Sequence, residues 1–335
     1  MLATITRVSL MSFLMRVPGM AACALAAGLM AAYAGAAEYP THSIRYVVPS
    51  APGGNADIVA RLIAQRLTDS LGQQVVVDNR AGASNMLGTE LVVKSPPDGY
   101  TLLQIASAHF TNPSIVKKLP YDSERDLAPI SLLSSTPLVL VAHPSLPVKS
   151  AKDLVALAKA RPGQLNYSSA GVATTGHLAG ALFAYMAHVN VVHVPYKGTA
   201  QAMTDVISGD LHFSIPSLTS GLEFVRQGRL KALGITASKR SPLAPNLPTI
   251  SESGVPGYQA NIWNGVLAPA GTPQAVINKL NAEIIRILSS PEAHERFASA
   301  GSDVAPSSPA ELGSFINAEI KKWAAVIKSA GIKPE

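Results

Sequence analysis

Almost to its end, the chain alternates short unbroken apolar runs with segments whose apolar positions recur every three or four residues. The first pattern reads as a buried strand and the second as a helix with one face turned inward. Ile44–Val48 is predicted to be a strand. Asn55–Leu71 is predicted to be a helix with Ile58, Leu62, Ile63 and Leu67 on one side and Gly72 past its end. A strand at 75–78, a helix at 83–95, the turn Pro96-Pro97-Asp98-Gly99 and a strand at 101–106 follow. This β-α-β-α-β succession predicts a parallel sheet flanked by helices.

A second run of the same kind opens with PLVLVA at 137–142. Helices at 151–161, 174–187 and 200–208 alternate with strands at 165–168, 191–194, 211–215 and 230–236, and 241–256 is an irregular, proline-rich connection. NIWNGVLAPAGTP reads as a strand leading out of this second lobe. Helices at 273–289, 291–300 and 309–330 form a tail expected to pack on an existing lobe. The expected architecture is α/β, two lobes joined by two crossing strands near 138–142 and 262–268. Lobe 1 comprises 38–140 and 265–335, and lobe 2 comprises 141–264; no internal repeat interrupts them.

The first 37 residues break the pattern. Arg7 and Arg16 precede an uncharged run, AACALAAGLMAAYAGAA, that closes on Ala34-Gly35-Ala36, the small-x-small pattern of a signal-peptidase site. A membrane anchor is the alternative, since the run after Arg16 is about long enough to span a bilayer. Its alanine- and glycine-rich second half, with no basic cluster behind it, favours a cleaved signal over 1–37 and an exported, soluble mature protein. Cys23, the single cysteine, lies in this segment, so the mature chain is expected to have no disulfide, thiol nucleophile or thiolate metal site. Met20-Ala21-Ala22 before it matches a lipid-attachment box poorly.

Composition narrows the function classes. A hydrophobic content of 47% with 14% charged residues describes a packed globular protein, and 5% aromatics argue against a base-stacking surface. The net charge of +6 is scattered; losing Arg7 and Arg16 leaves 25 basic residues against 21 acidic ones, near +4. That is a mild bias toward acidic ligands, without a nucleic-acid patch.

Candidate chemistry sits where strands run into helices. In VVPSAPGGNADIVARL, a strand ends at Pro52-Gly53-Gly54 and a helix begins, so free backbone N–H groups and the helix dipole form a cradle for an anion. An ordinary turn capped by Asn55 is the competing reading. No Gly-Lys-Ser/Thr or G-x-G-x-x-G accompanies the turn, which removes the nucleotide-loop readings. Asp57, in the first helical turn, is expected to cap or pair rather than face an anion. NYSSAGVATTGHLAG repeats the design: Ser168-Ser169, a flexible Ala170-Gly171 turn, then Thr174-Thr175 opening a helix. HVPYKGTAQA is a third strand end, offering Tyr196, Lys197 and Thr199. His177 invites a serine-hydrolase reading with Ser168 or Ser169, but neither serine sits in a G-x-S-x-G elbow. The eight histidines show no metal-ligand spacing, so no metal and no cofactor are expected.

YPTHSIRYVVPSAPGGNADIVARLIAQRL, GQQVVVDNRAGASNMLGTELVVKSPPDGYTLL, LNYSSAGVATTGHLAGALF, VHVPYKGTAQA and GVLAPAGTP resemble, in the same order, the Bug (TctC-like) proteins. These are the extracytoplasmic, periplasmic solute receptors of tripartite tricarboxylate transporters. The resemblance implies a type II periplasmic-binding-protein fold, no enzymatic activity, and a ligand carboxylate held between loops of the two lobes. Carried over by motif, the first loop is Ser50, Ala51, Gly53, Gly54 and Asn55, and the second is Ser168, Ser169, Gly171, Thr174 and Thr175. Tyr196 approaches the cleft, Lys197 less surely, and Asn79 and Ala83 belong to the matching Asn-Arg-x-Gly-Ala segment. His109, Phe110, Tyr196 and Trp263 are candidates for an aromatic wall. Many relatives carry an aspartate that meets a ligand ammonium; Pro216 stands in that place here. The departure favours an aliphatic or aromatic mono- or dicarboxylate over an amino acid. Expected partners are that carboxylate and the membrane subunits of a transporter, or alternatively a membrane sensor kinase. A monomer is expected.

Overall fold

The computed structural model describes residues 39–333; the signal-peptide reading and Cys23 lie outside them. In chain order the first elements are β1 (Ile44–Val48), α1 (Asn55–Leu71), β2 (Val75–Asn79), α2 (Met86–Val93), β3 (Thr101–Ile105), α3 (Ala108–Ile115) and β4 (Leu127–Thr136). Next come β5 (Val139–Ala142), α4 (Ala151–Ala160), β6 (Asn166–Ser169), α5 (Thr175–Ala187), β7 (Val192–Pro195), α6 (Thr199–Ser208), β8 (Phe213–Ser214), α7 (Leu218–Arg226) and β9 (Lys231–Ile235). The chain ends with β10 (Ile262–Pro269), α8 (Gln274–Leu288), α9 (Pro291–Ser299), β11 (Asp303–Val304) and α10 (Pro309–Ser329).

Two sheets result, ordered β11-β4-β10-β3-β1-β2 and β7-β6-β8-β5-β9. β2, β1 and β3 pair in parallel, as do β7, β6 and β8, while the strands entering from the other lobe, β10 and β5, pair antiparallel. The fold is that of a two-lobed periplasmic binding protein, with the chain passing between sheets near Pro137-Leu138 and again near Asn261. β5 is apolar throughout and wholly buried because it has sheet on both edges and helices on its faces. α1 buries Val59, Ile63 and Leu67 completely, a stripe worth about 1.5–3 kcal/mol per side chain.

The two passages are tied side by side. Leu138 N–H donates to Thr236 Oγ1 at 2.8 Å, Thr236 Oγ1 to Asn261 Oδ1 at 3.0 Å, and Asn261 Nδ2 to Ser135 Oγ at 2.7 Å. All four residues are buried.

Four elements differ from the sequence reading. The helix expected over 83–95 begins only at Met86, because Ala83, Ser84 and Asn85 are left-handed with φ of 45°, 52° and 73°. α2 then lies against the end of β1 so closely that a Cβ on Gly88 would sit 2.7 Å from the Pro49 Cβ. β4 went unread because Pro129 and its serines disguise a central strand; Ser131, Ser134 and Ser135 are buried. Pro113 concealed α3. The tail packs on more than one lobe: α10 lies against α3 and β4 and also against α5.

Candidate functional site

The Pro-Gly-Gly loop is braced from inside. Gly53, at φ 81°, donates its N–H to Asp57 Oδ2 at 2.8 Å. Asp57 also accepts from Arg61 Nε at 3.0 Å and Asn79 Nδ2 at 2.9 Å. Burial raises its carboxyl pKa, but these bonds outweigh that and hold it below the usual carboxylate range. Asp57 is thus the structural cap of the turn. Asn79 braces the loop: Nδ2 donates to Ser50 O and Asp57, and Oδ1 accepts from Arg61. Asn55 accepts from Asn264 Nδ2 at 2.7 Å and reaches Thr136, which fixes the start of α1 to the crossing strand β10. Ala51, Gly53 and Gly54 are exposed, and the buried Ser50 Oγ has no hydrogen-bond partner among the described residues.

In the second lobe, Ser169 Oγ and Thr174 Oγ1 both donate to Gly171 O, at 2.9 and 2.8 Å. Ala173 is left-handed at φ 59°. Ser168 is fully buried, and its hydroxyl likewise has no partner among the described residues.

Two adjoining hollows meet at Thr174 and Thr175. The larger, about 400 Å³, runs between the lobes, and the smaller, about 210 Å³, lies between the second-lobe loops and the crossing segments at Leu138 and Ile262. In the larger, the first lobe contributes Ser84, Asn85, Ser107, Ala108, Thr111 and Asn112, and the second contributes Val172, Ala173, Thr174 and Thr175. Three helix N-termini therefore open onto it: α2 after Ser84-Asn85, α3 after Ser107 and α5 after Thr174. Each end carries roughly half a positive charge, although the N–H groups of Met86, His109 and Phe110 already donate to Ala83 O, Ala106 O and Ser107 O. The other side is apolar, with Ile115, Leu178 and Trp323 of α10. No charged side chain lines either hollow among the described residues. The left-handed residues Ser84, Asn85 and Ala173 all sit in this wall, strain of the kind that marks a working surface.

The structure brings Ser169, Thr174 and Thr175 to these hollows, with Ser168 beneath, Gly171 inside the same loop and Ala83 beside Ser84. It does not bring Ser50, Ala51, Gly53, Gly54 or Asn55 to their walls. His109, only 5% exposed, packs edge-on against Phe110 inside the first lobe, and burial lowers its pKa to about 4. The Tyr196 hydroxyl donates to the Asp205 carboxylate, which pushes its pKa up to about 12, and its ring packs on the second-lobe core. Phe110 and Trp263 both pack edge-on against Phe315 of α10.

Sequence reasoning missed Ser107 and Trp323. Ser107 follows β3 as Ser50 follows β1, so a search of every strand end would have found it. Trp323 lies far along the chain and carries no local signal.

The pairing of His177 with Ser168 or Ser169 is not formed among the described residues. His177 Nδ1 accepts from Ala173 N–H at 2.9 Å and is committed to the loop; the ring that meets Ser169 Oγ, at 2.7 Å, is His193. Burial lowers both histidines to about 4, far from the value a general base needs near neutrality. Among the described residues no cluster of His, Asp and Glu is arranged to hold a metal.

Residues 59–332 match the tripartite tricarboxylate transporter family receptor. The chain is 39% identical over 306 residues to the protein BugT of Bordetella pertussis, covering 91% of this chain and 94% of that one. Among solved structures it is similar to Rpa4515 of R. palustris with adipate, at 36% identity and a TM-score of 0.72, covering 89% of this chain and 100% of that one. It is also similar to MatC of Rhodopseudomonas palustris with bound malate, at 31% identity and a TM-score of 0.67, covering 86% and 100%.

Proposed function

The chain belongs to the tripartite tricarboxylate transporter receptor family, and on that premise we propose that it captures a small carboxylate between its lobes and delivers it to a membrane transporter. The observation that carries this reading is the convergence of three helix N-termini and the Ser107 and Thr174 hydroxyls on one interlobe hollow that no charged side chain lines. Such a wall attracts an anion through backbone dipoles and holds no carboxylate to pair with an ammonium. Ile115, Leu178 and Trp323 opposite it suit a hydrocarbon or aromatic body. The ligand is therefore an aliphatic or aromatic mono- or dicarboxylate without a positive charge. The adipate and malate of the two related structures fall in that class.

Delivery needs a receptor that changes shape. A ligand touching both lobes stabilises the arrangement in which both walls reach it, so binding shifts the population toward closure. The periplasm is the compartment in which such a receptor acts. Calorimetry with adipate, malate, benzoate and glutamate tests the reading on protein dialysed under denaturant and refolded. Saturable binding of at least one of the first three, with glutamate weaker, is expected. No saturable heat from any carboxylate would overturn it.

A further inference from the structure

Behind the second-lobe loop, two imidazoles lie face to face. The His177 and His193 ring centroids are 3.7 Å apart with planes 10° from parallel. They come from different elements, the first turn of α5 and the strand β7, and each reaches a different end of the loop. His177 Nδ1 accepts from Ala173 N–H at 2.9 Å. His193 Nε2 lies 2.7 Å from Ser169 Oγ, whose own proton is directed to Gly171 O at 2.9 Å, so His193 Nε2 is the donor. Both rings are thereby assigned as neutral Nε2–H tautomers.

We propose that His177 and His193 are positioning residues for the ligand loop, holding Ala173 through the acceptor Nδ1 of His177 and Ser169 through the donor Nε2–H of His193. This rests on the reading of that loop as part of the ligand site. A proton on His177 Nδ1 removes the acceptor of the Ala173 N–H. A proton on either ring also sets a positive charge against its stacked neighbour. The titratable groups facing the pair are phenols: Tyr167 of β6, 5.0 Å from His193 and 6.4 Å from His177, and Tyr185 of α5. The end of α10 adds Ser329 and Ala330 across a hollow of about 280 Å³. No carboxylate lines that hollow among the described residues, so nothing there compensates an imidazolium. Burial accordingly keeps both rings neutral down to about pH 4.

Side-chain nitrogen NMR on the whole protein, from neutral pH down to about 4, tests the pairing directly. Both rings are expected as Nε2–H tautomers, and the Ala173 amide is expected to exchange roughly tenfold faster in His177→Phe, which keeps the stack but loses the acceptor. His177→Asn, which restores an acceptor, should recover slow exchange. With adipate as the probe, His193→Phe should weaken binding roughly tenfold, the effect of one lost positioned hydrogen bond, and His193→Gln should recover most of it. An Nδ1–H tautomer on either ring, or unchanged Ala173 exchange in His177→Phe, would overturn the proposal. Equal adipate affinity in His193→Phe and wild type would overturn it as well. If the wild type binds no carboxylate of the panel, the carboxylate reading fails while the tautomers and Ala173 exchange still decide the histidine pair.

Discussion

Asn261 donates its side-chain amide to the Ser135 hydroxyl across 2.7 Å, joining the two strands that carry the chain between lobes. Its Oδ1 meanwhile accepts from Thr236, which in turn accepts from Leu138 N–H. The connection therefore bends as one unit. Replacing Asn261 with leucine leaves two buried hydroxyls short of partners, at about 1–3 kcal/mol each. Urea unfolding of Asn261→Leu should show a loss of several kcal/mol at unchanged m-value; a loss within the fitting error would mean that water replaces the amide.

The hydroxyls in the interlobe wall have a different role. Ser107 Oγ has no partner among the described residues, whereas Thr174 Oγ1, at the same hollow, donates to Gly171 O. Ser107→Ala should therefore leave stability nearly unchanged while weakening carboxylate binding roughly tenfold. Calorimetry paired with thermal melts separates the two effects, and equal affinity in Ser107→Ala would remove that hydroxyl from the site.

Trp323 closes the apolar side of the hollow, 3% exposed, with its indole N–H on Glu319 at 2.9 Å. Trp323→Leu enlarges the space where a ligand body would rest. Affinity for short dicarboxylates should fall more than affinity for aromatic or longer ones, so the ranking in a carboxylate panel is the measurement. A uniform loss across the panel would indicate collapse of α10 instead.

His109 makes an acid-sensitivity prediction. Burial lowers its pKa from 6.5 to about 4. Between those values the unfolded chain binds a proton that the folded chain refuses, so stability falls as pH drops from 6.5 toward 4 and levels off below. The slope from one such group is at most about 1.4 kcal/mol per pH unit. Neither ring nitrogen makes a well-formed hydrogen bond, and the Ser123 backbone compensates only in part. His109→Leu should accordingly be as stable as wild type or more so at neutral pH, with a shallower loss in that window. Denaturant midpoints across the pH range check this, and an unchanged slope would show that His109 titrates alike in the folded and unfolded chain.

How far the sequence leads depends on whether a residue's role is local. α1 and its Pro-Gly-Gly entry were legible because period, turn and cap lie within a few positions, and Asp57 sits where a first-turn acid should. Thr174-Thr175 was legible for the same reason. Asn79 was not: its partners Asp57 and Arg61 stand on another element, and only the fold shows that its amide is spent. His109 and Ser107 are two residues apart, yet one points into the core and the other into the hollow. Which side of a proline-containing helix faces inward follows from packing, and packing against α10 is a long-range fact.

The first sheet takes its middle strand from late in the chain. β10 lies between β3 and β4, so without residues 262–269 that sheet is two fragments, whereas the second sheet is complete by Ile235. The lobe that emerges first from the ribosome is thus the last that can finish folding. Such non-local closure is slow. Strand order alone builds in a waiting period that a contiguous first domain would not have.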